Sequence, residues 1–118
     1  MNGITGTANL QIDRASVTFT RQEYVKIGRI VFVYGSVEFA TTTTSQGIVY
    51  INQNSYPFTP VWPSLHGIWV VDSSISGTIG LVNNSNGWFL ANADGGQTTA
   101  VTLSGKTVKF AFSYIASE

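Results

Sequence analysis

Apolar and polar side chains alternate along this chain with a period of two, and no window longer than about ten residues places apolar positions at three and four spacing without glycine or a β-branched run intervening. Residues 107–115 show it most plainly. Val108, Phe110, Phe112 and Tyr114 fall on one side of an extended strand, with Thr107, Lys109, Ala111 and Ser113 on the other. Residues 30–39 are different, because Val31, Val33, Val37 and Phe39 share one face while Ile30, Phe32, Tyr34 and Glu38 share the other. A strand that is largely apolar on both faces is buried between two layers, or lies between its own core and a neighbouring subunit.

The punctuation agrees with a β fold. Gly28-Arg29 divides residues 24–27 from residues 30–39 and reads as a hairpin turn. Residues 17–20 alternate as a separate short segment, and Arg21-Gln22-Glu23 reads as a wet turn. Residues 47–51, 68–71, 78–82 and 88–91 read as further strands. Between and after them lie turn clusters at residues 52–55, 72–74, 83–87, 92–96 and 104–105, whose Asn, Asp, Ser and Gly satisfy tight backbone conformations. Pro57, Pro60 and Pro63 withhold backbone donors and bias their predecessors away from helix, so residues 56–67 are expected as an extended surface excursion. About eight short strands result, which predicts an all-β domain, an antiparallel β-sandwich or β-prism-like head. Residues 1–12, small and rich in Gly and Thr, read as a connector to an upstream region, with the domain itself at 13–118.

At 118 residues one core is expected. Charged residues are 10% of the chain against a usual ~25%, and the net charge is zero, a balance that promotes association. Arg14, Arg21, Lys26, Arg29, Lys106 and Lys109 are scattered among acids rather than clustered, which argues against nucleic acid. With no cysteine there is neither a disulfide framework nor a cysteine-based metal site, and no apolar run approaches the ~20 residues of a membrane helix. Membrane insertion and cofactors are not expected. Between Phe39 and Val71 there is no Asp, Glu, Lys or Arg, yet this stretch holds Tyr50, Tyr56, Phe58, Trp62, His66 and Trp69. Such a segment is either covered or binds something neutral.

The run VTFTRQEYVKIGRIVFVYGSVEF over residues 17–39, followed by GIVYI and then YPF, resembles the C-terminal tip domains of bacteriophage tail fibres and tail-associated receptor-binding proteins. Tyr24, Lys26, Ile27, Gly28, Val31 and Val33 occupy the places of that family's hairpin motif, and residues 108–115 resemble its closing strand. Where the family has a G-L-P-F-like turn, this chain has Asn54-Ser55-Tyr56-Pro57-Phe58. The resemblance implies a homotrimeric head at the end of a virion fibre that binds bacterial surface saccharide outside the host cell.

A sugar needs an aromatic face for its C–H side and hydrogen-bonding side chains for its hydroxyls. Two groups offer that chemistry. Trp62 and His66, with Trp69 and Tyr56 near them, form one; Asn83, Asn84, Asn86 and Trp88, with Asp94 and Gln97 on the next loop, form the other. The bland reading of the first is core or intersubunit packing, most of all for Trp69, and that of the second is turns satisfying their own backbone. His66, the sole histidine, lacks spaced partners for metal binding. Enzyme activity is not expected: no G-x-S-x-G elbow is present, and the acids offer only unspecified pairs such as Glu38 with Asp72. Two other readings stand beside host attachment, namely a trimerisation or capping module of a fibre, and a carbohydrate-binding module of a cell-wall hydrolase.

Overall fold

The computed structural model describes residues 3–44, 47, 49–52, 54–61, 66–72, 75–81, 87–92 and 98–118. Among them there is no helix. Nine strands follow in order: β1 (Ile4–Thr7), β2 (Ile12–Asp13), β3 (Val17–Ile27), β4 (Ile30–Phe39), β5 (Tyr50–Asn52), β6 (His66–Val70), β7 (Ser76–Leu81), β8 (Gly87–Asn92) and β9 (Thr107–Ile115). They pair antiparallel in the order β1-β3-β4-β9-β6-β7-β8-β5-β2. The sheet curls on itself, so that Phe19, Val37, Val108 and Phe110 of one half meet Ile12, Ile51 and Ile79 of the other in a β-sandwich-like body.

The long hairpin forms where expected, with Gly28 at φ 60° in its turn. Its first arm is one strand rather than two segments. Phe19 pairs with Val37 and Arg21 with Ser36, leaving Thr20 as an extra residue in a β-bulge. The extra residue reverses the phase of alternation. Val17 and Phe19 face inward before it, and Gln22 and Tyr24 do so after it, while Arg21 and Glu23 face outward and pair at 2.6 Å. Arg21-Gln22-Glu23 is therefore strand and not a wet turn. Inside, the Gln22 carbonyl accepts from Ala8 N at 3.0 Å and its Oε1 accepts from Leu10 N at 2.8 Å. Both bonds fix the N-terminal segment, in which Ala8 and Leu10 are core residues and Ile4–Thr7 pairs with β3. The stretch expected as a connector is thus part of the sheet, and the radius of gyration of 13.7 Å is that of a single body of this length, ~13.5 Å.

The bulge brings strand backbones so close that only glycine fits at position 35. A Cβ there would run into the carbonyl oxygen of Arg21.

The core is organised along β9. Phe110, Phe112 and Tyr114 stack in sequence, with centroids 6.2 and 6.3 Å apart and planes 25° and 23° from parallel. Phe19 meets Phe110 edge-on at 6.1 Å, and Tyr56 meets Phe112 edge-on at the same distance. Such pairs add ~0.5–1.5 kcal/mol each beyond the area they bury. Trp69, opposite Phe110 on β6, is 1% exposed. The Tyr114 hydroxyl donates to Phe58 O at 2.8 Å and accepts from Phe58 N at 3.1 Å, tying the proline-rich segment to β9. That segment is held further by the Pro60–Ala116 bridge and by Val61 N donating to Ile115 O at 2.7 Å. Tyr56 and Pro60 are buried, so this part of the excursion is packed down rather than projecting.

Gly35→Ala is expected to lower stability by about 3 kcal/mol, since the clash is with backbone and cannot be relieved by a rotamer; an unchanged urea midpoint would contradict the bulge. Burial pushes the Tyr114 phenol up to about 12, only partly opposed by the bond from Phe58 N. Its contribution to stability is intact below the unfolded-state value of ~10 and is lost as pH rises from there through about 12. Tyr114→Phe should remove that component of the alkaline slope, and should cost ~1–3 kcal/mol at neutral pH by orphaning the Phe58 main chain. Denaturation midpoints between pH 8 and 12 check both effects.

Candidate functional site

Two surface features remain once the core is accounted for. The first is the outer face of β3, β4, β9 and β6. Strand alternation that buries Val31, Val33, Val37 and Phe39 turns Ile30, Phe32 and Tyr34 outward. Register then adds neighbours on the same face: Ile27 and Ile115 flank Ile30, and Ala111 lies between Tyr34 and Ile68, with Val70 beside Lys109. Seven of the ten large apolar side chains left exposed among the described residues lie here, Phe32 at 45% and Ile68 at 61%. A shallow depression opens between Phe32, Tyr34, Ala111 and Ser113. The charges sit towards one margin, where Arg21 lies over the Tyr34 ring at 5.5 Å and Lys109 precedes Ala111 on β9 by two positions.

The second feature is a polar cleft of about 420 Å³ between the end of β2 and the segment that leaves β4. Its floor is apolar, formed by Ile12, Phe39 and Ala100, all buried. Its walls carry Gln11, Asp13, Arg14, Ser16, Thr41, Thr42 and Thr44. Asp13 is oriented by two amides, Asn52 Nδ2 donating to Oδ2 at 2.9 Å and Gln11 Nε2 to Oδ1 at 3.4 Å. Arg14 has φ 71°, the one positive value at a non-glycine residue among those described, and its guanidinium lies over the Tyr50 ring at 5.9 Å. The cleft wall is braced by Ala40 N donating to Ser16 O at 2.9 Å and Thr42 N donating to Ser104 Oγ at 2.8 Å.

The residues singled out for a ligand are distributed differently. Tyr56 belongs to the core, 9% exposed, and its hydroxyl donates to Ile51 O at 3.1 Å. A ring packed against Phe112 and Tyr114 cannot also cover a sugar. Trp69 is likewise core. His66 opens β6 opposite Ser113, and Trp88 lies in β8 opposite Ile51 and Leu81. Trp62, Asn83, Asn84, Asn86, Asp94 and Gln97 lie outside the described residues. Of the carboxylates considered for catalysis, Asp72 accepts the Ile75 N–H at 3.1 Å and so closes the β6–β7 turn. Among the described residues no three His, Cys, Asp or Glu side chains gather as a metal site.

The polar cleft is not legible in the sequence because its walls and floor come from three separate stretches, none with a motif. The one available signal was Asp13-Arg14 itself, a charged pair between short apolar runs. Comparison with protein-family models, curated proteins and solved structures finds no match for this chain.

A left-handed arginine costs roughly 1–2 kcal/mol that glycine would not incur. Arg14→Gly is therefore expected to hold stability within about 1 kcal/mol of the parent, whereas Arg14→Val should fall below it by more than that. Chemical denaturation of the two variants decides it, and equal losses in both would contradict the strain assigned to position 14.

Proposed function

We propose that this chain is the head domain of a bacteriophage tail fibre, assembled as a homotrimer and attaching to a saccharide on the bacterial surface. The observation that carries the reading is the apolar outer face of β3, β4, β9 and β6, which coincides with the hairpin that resembles fibre-tip domains. Four strands ~4.8 Å apart and about five residues of ~3.4 Å give a footprint on the order of 300 Å². That is the size of the largest apolar patch on a typical monomer, which is often functional, and it has the make-up of the apolar centre of an interface with a charged rim in Arg21, Glu23 and Lys109.

A second copy of the chain is the occupant that composition favours. The net charge is zero and charged residues are few, so copies meet without repulsion. Saccharide attachment suits a trimer, because several weak sites on one rigid head bind together far more tightly than each alone. The capping reading, a fibre terminus with no receptor, draws support from Tyr56 and Trp69 being core residues rather than a sugar platform.

Sedimentation equilibrium should give a mass near three times 12.7 kDa. The double variant Phe32→Asp/Ile68→Asp should sediment as a folded monomer, since both side chains are exposed in the protomer. A monomeric parent, or a trimer untouched by the two aspartates, would refute assembly through this face. Binding of the parent protein to a glycan array of bacterial surface saccharides separates host attachment from capping.

A further inference from the structure

We propose that the polar cleft between Asp13-Arg14 and residues 39–44 is the saccharide-binding site, taking a sugar ring with Asp13 as acceptor and Arg14 as donor. The proposal rests on the saccharide reading above and gives it a place among the described residues.

The cleft's volume of about 420 Å³ lies within the ~300–1,000 Å³ of small-molecule sites. Its two kinds of surface match the two kinds of surface on a sugar. The apolar floor of Ile12, Phe39 and Ala100 suits ring C–H groups, and the walls supply hydrogen bonds. A carboxylate accepts from vicinal hydroxyls, and each Asp13 oxygen, engaged once by an amide, retains a further lone pair. A guanidinium donates to a hydroxyl, a ring oxygen or a sugar carboxylate. Thr41, Thr42 and Ser16 donate or accept as needed.

The wall is also built before a ligand arrives. Asn52 and Gln11 hold the Asp13 carboxylate from both sides, and the Tyr50 ring lies beneath Arg14. Arg14 keeps a left-handed backbone where glycine or asparagine would be at ease, and such strain persists where a side chain has a use at that position. Fixing donors and acceptors in advance lowers the entropy cost of binding, which matters most for a shallow site of weak intrinsic affinity.

Other ligand classes fit poorly. A metal ion would need more than one carboxylate, and a phosphate backbone more than one cation. Position favours the proposal too. The apolar outer patch is centred on Ile30, Phe32 and Tyr34, whereas the cleft begins at Phe39, at the other end of β4. The patch reaches Tyr34 along β4, and five strand steps of ~3.3 Å put roughly 17 Å between Tyr34 and Phe39. Trimerisation through the patch leaves the cleft open to solvent, one per subunit.

The test uses the trimer, a glycan array of bacterial surface saccharides, and isothermal titration with the best-bound array saccharide. Arg14→Gly, expected to remain stable, and Asp13→Asn, which keeps the shape, should each weaken binding at least tenfold with the oligomeric mass unchanged. Arrays bearing neutral hexoses beside hexuronic acids divide the two sources of this chemistry: a guanidinium pairing with a sugar carboxylate makes Arg14→Gly the more damaging change on hexuronic acids. Binding within twofold of the parent in both variants overturns the cleft while leaving saccharide attachment standing. No saccharide bound by the parent overturns both. Should either variant fail to fold, amide resonances of the parent serve: shifts on titration centred on Asp13, Arg14 and Thr42 support the cleft, and shifts confined elsewhere overturn it.

Discussion

Strand β4 carries apolar side chains on both faces, and the protomer's own fold keeps water from only one of them. Val31, Val33, Val37 and Phe39 are sealed against the aromatic ladder of β9. Ile30, Phe32 and Tyr34 are left in solvent with Ile68 and Ile115 beside them. Each such side chain is already partly covered and forgoes about half of the ~1.5–3 kcal/mol that full burial provides. Sister chains laid over this face would recover part of it, and the rest of the account follows from that requirement.

The inner face depends on a local irregularity. Without the Thr20 bulge, a strand that buries Val17 and Phe19 would turn Gln22 and Tyr24 outward, and the anchors for Ala8 and Leu10 would be lost. Gly35 makes the bulge possible by letting the backbones approach. One inserted residue therefore aligns the first half of β3 with the sandwich core and the second half with the N-terminal strand. The polar cleft opens at the Phe39 end of β4 and the apolar patch lies towards its Ile30 end, so the proposed assembly and the proposed binding would make separate demands on one strand.

Sequence reading succeeded where a pattern was contiguous. The Gly28 turn, the alternation of residues 107–115 and the division of β4 into two faces each lie within a dozen residues and were visible as such. It failed where phase or distance intervened. A bulge breaks alternation, so residues 17–27 looked like two segments joined by a turn. β1 and β2 are short, and the Gly and Thr of residues 1–12 read as a connector, whereas pairing with β3 and β5 places this stretch in the sheet. Tyr56 looked like a ligand platform because its loop is uncharged, but the absence of charge there reflects packing: Tyr56, Pro60 and Trp69 turn inward. The cleft is assembled from chain segments far apart, and no spacing rule joins Asp13 to Thr42.

The most direct test is solvent access to isoleucine methyl groups in the native protein, read by NMR with a soluble paramagnetic agent. Burial between copies predicts that the methyl signals of Ile30, Ile68 and Ile115 are spared while that of Ile4, exposed away from this face, broadens strongly. Equal broadening of all four would contradict the account, because the outer face of β4 would then be facing water.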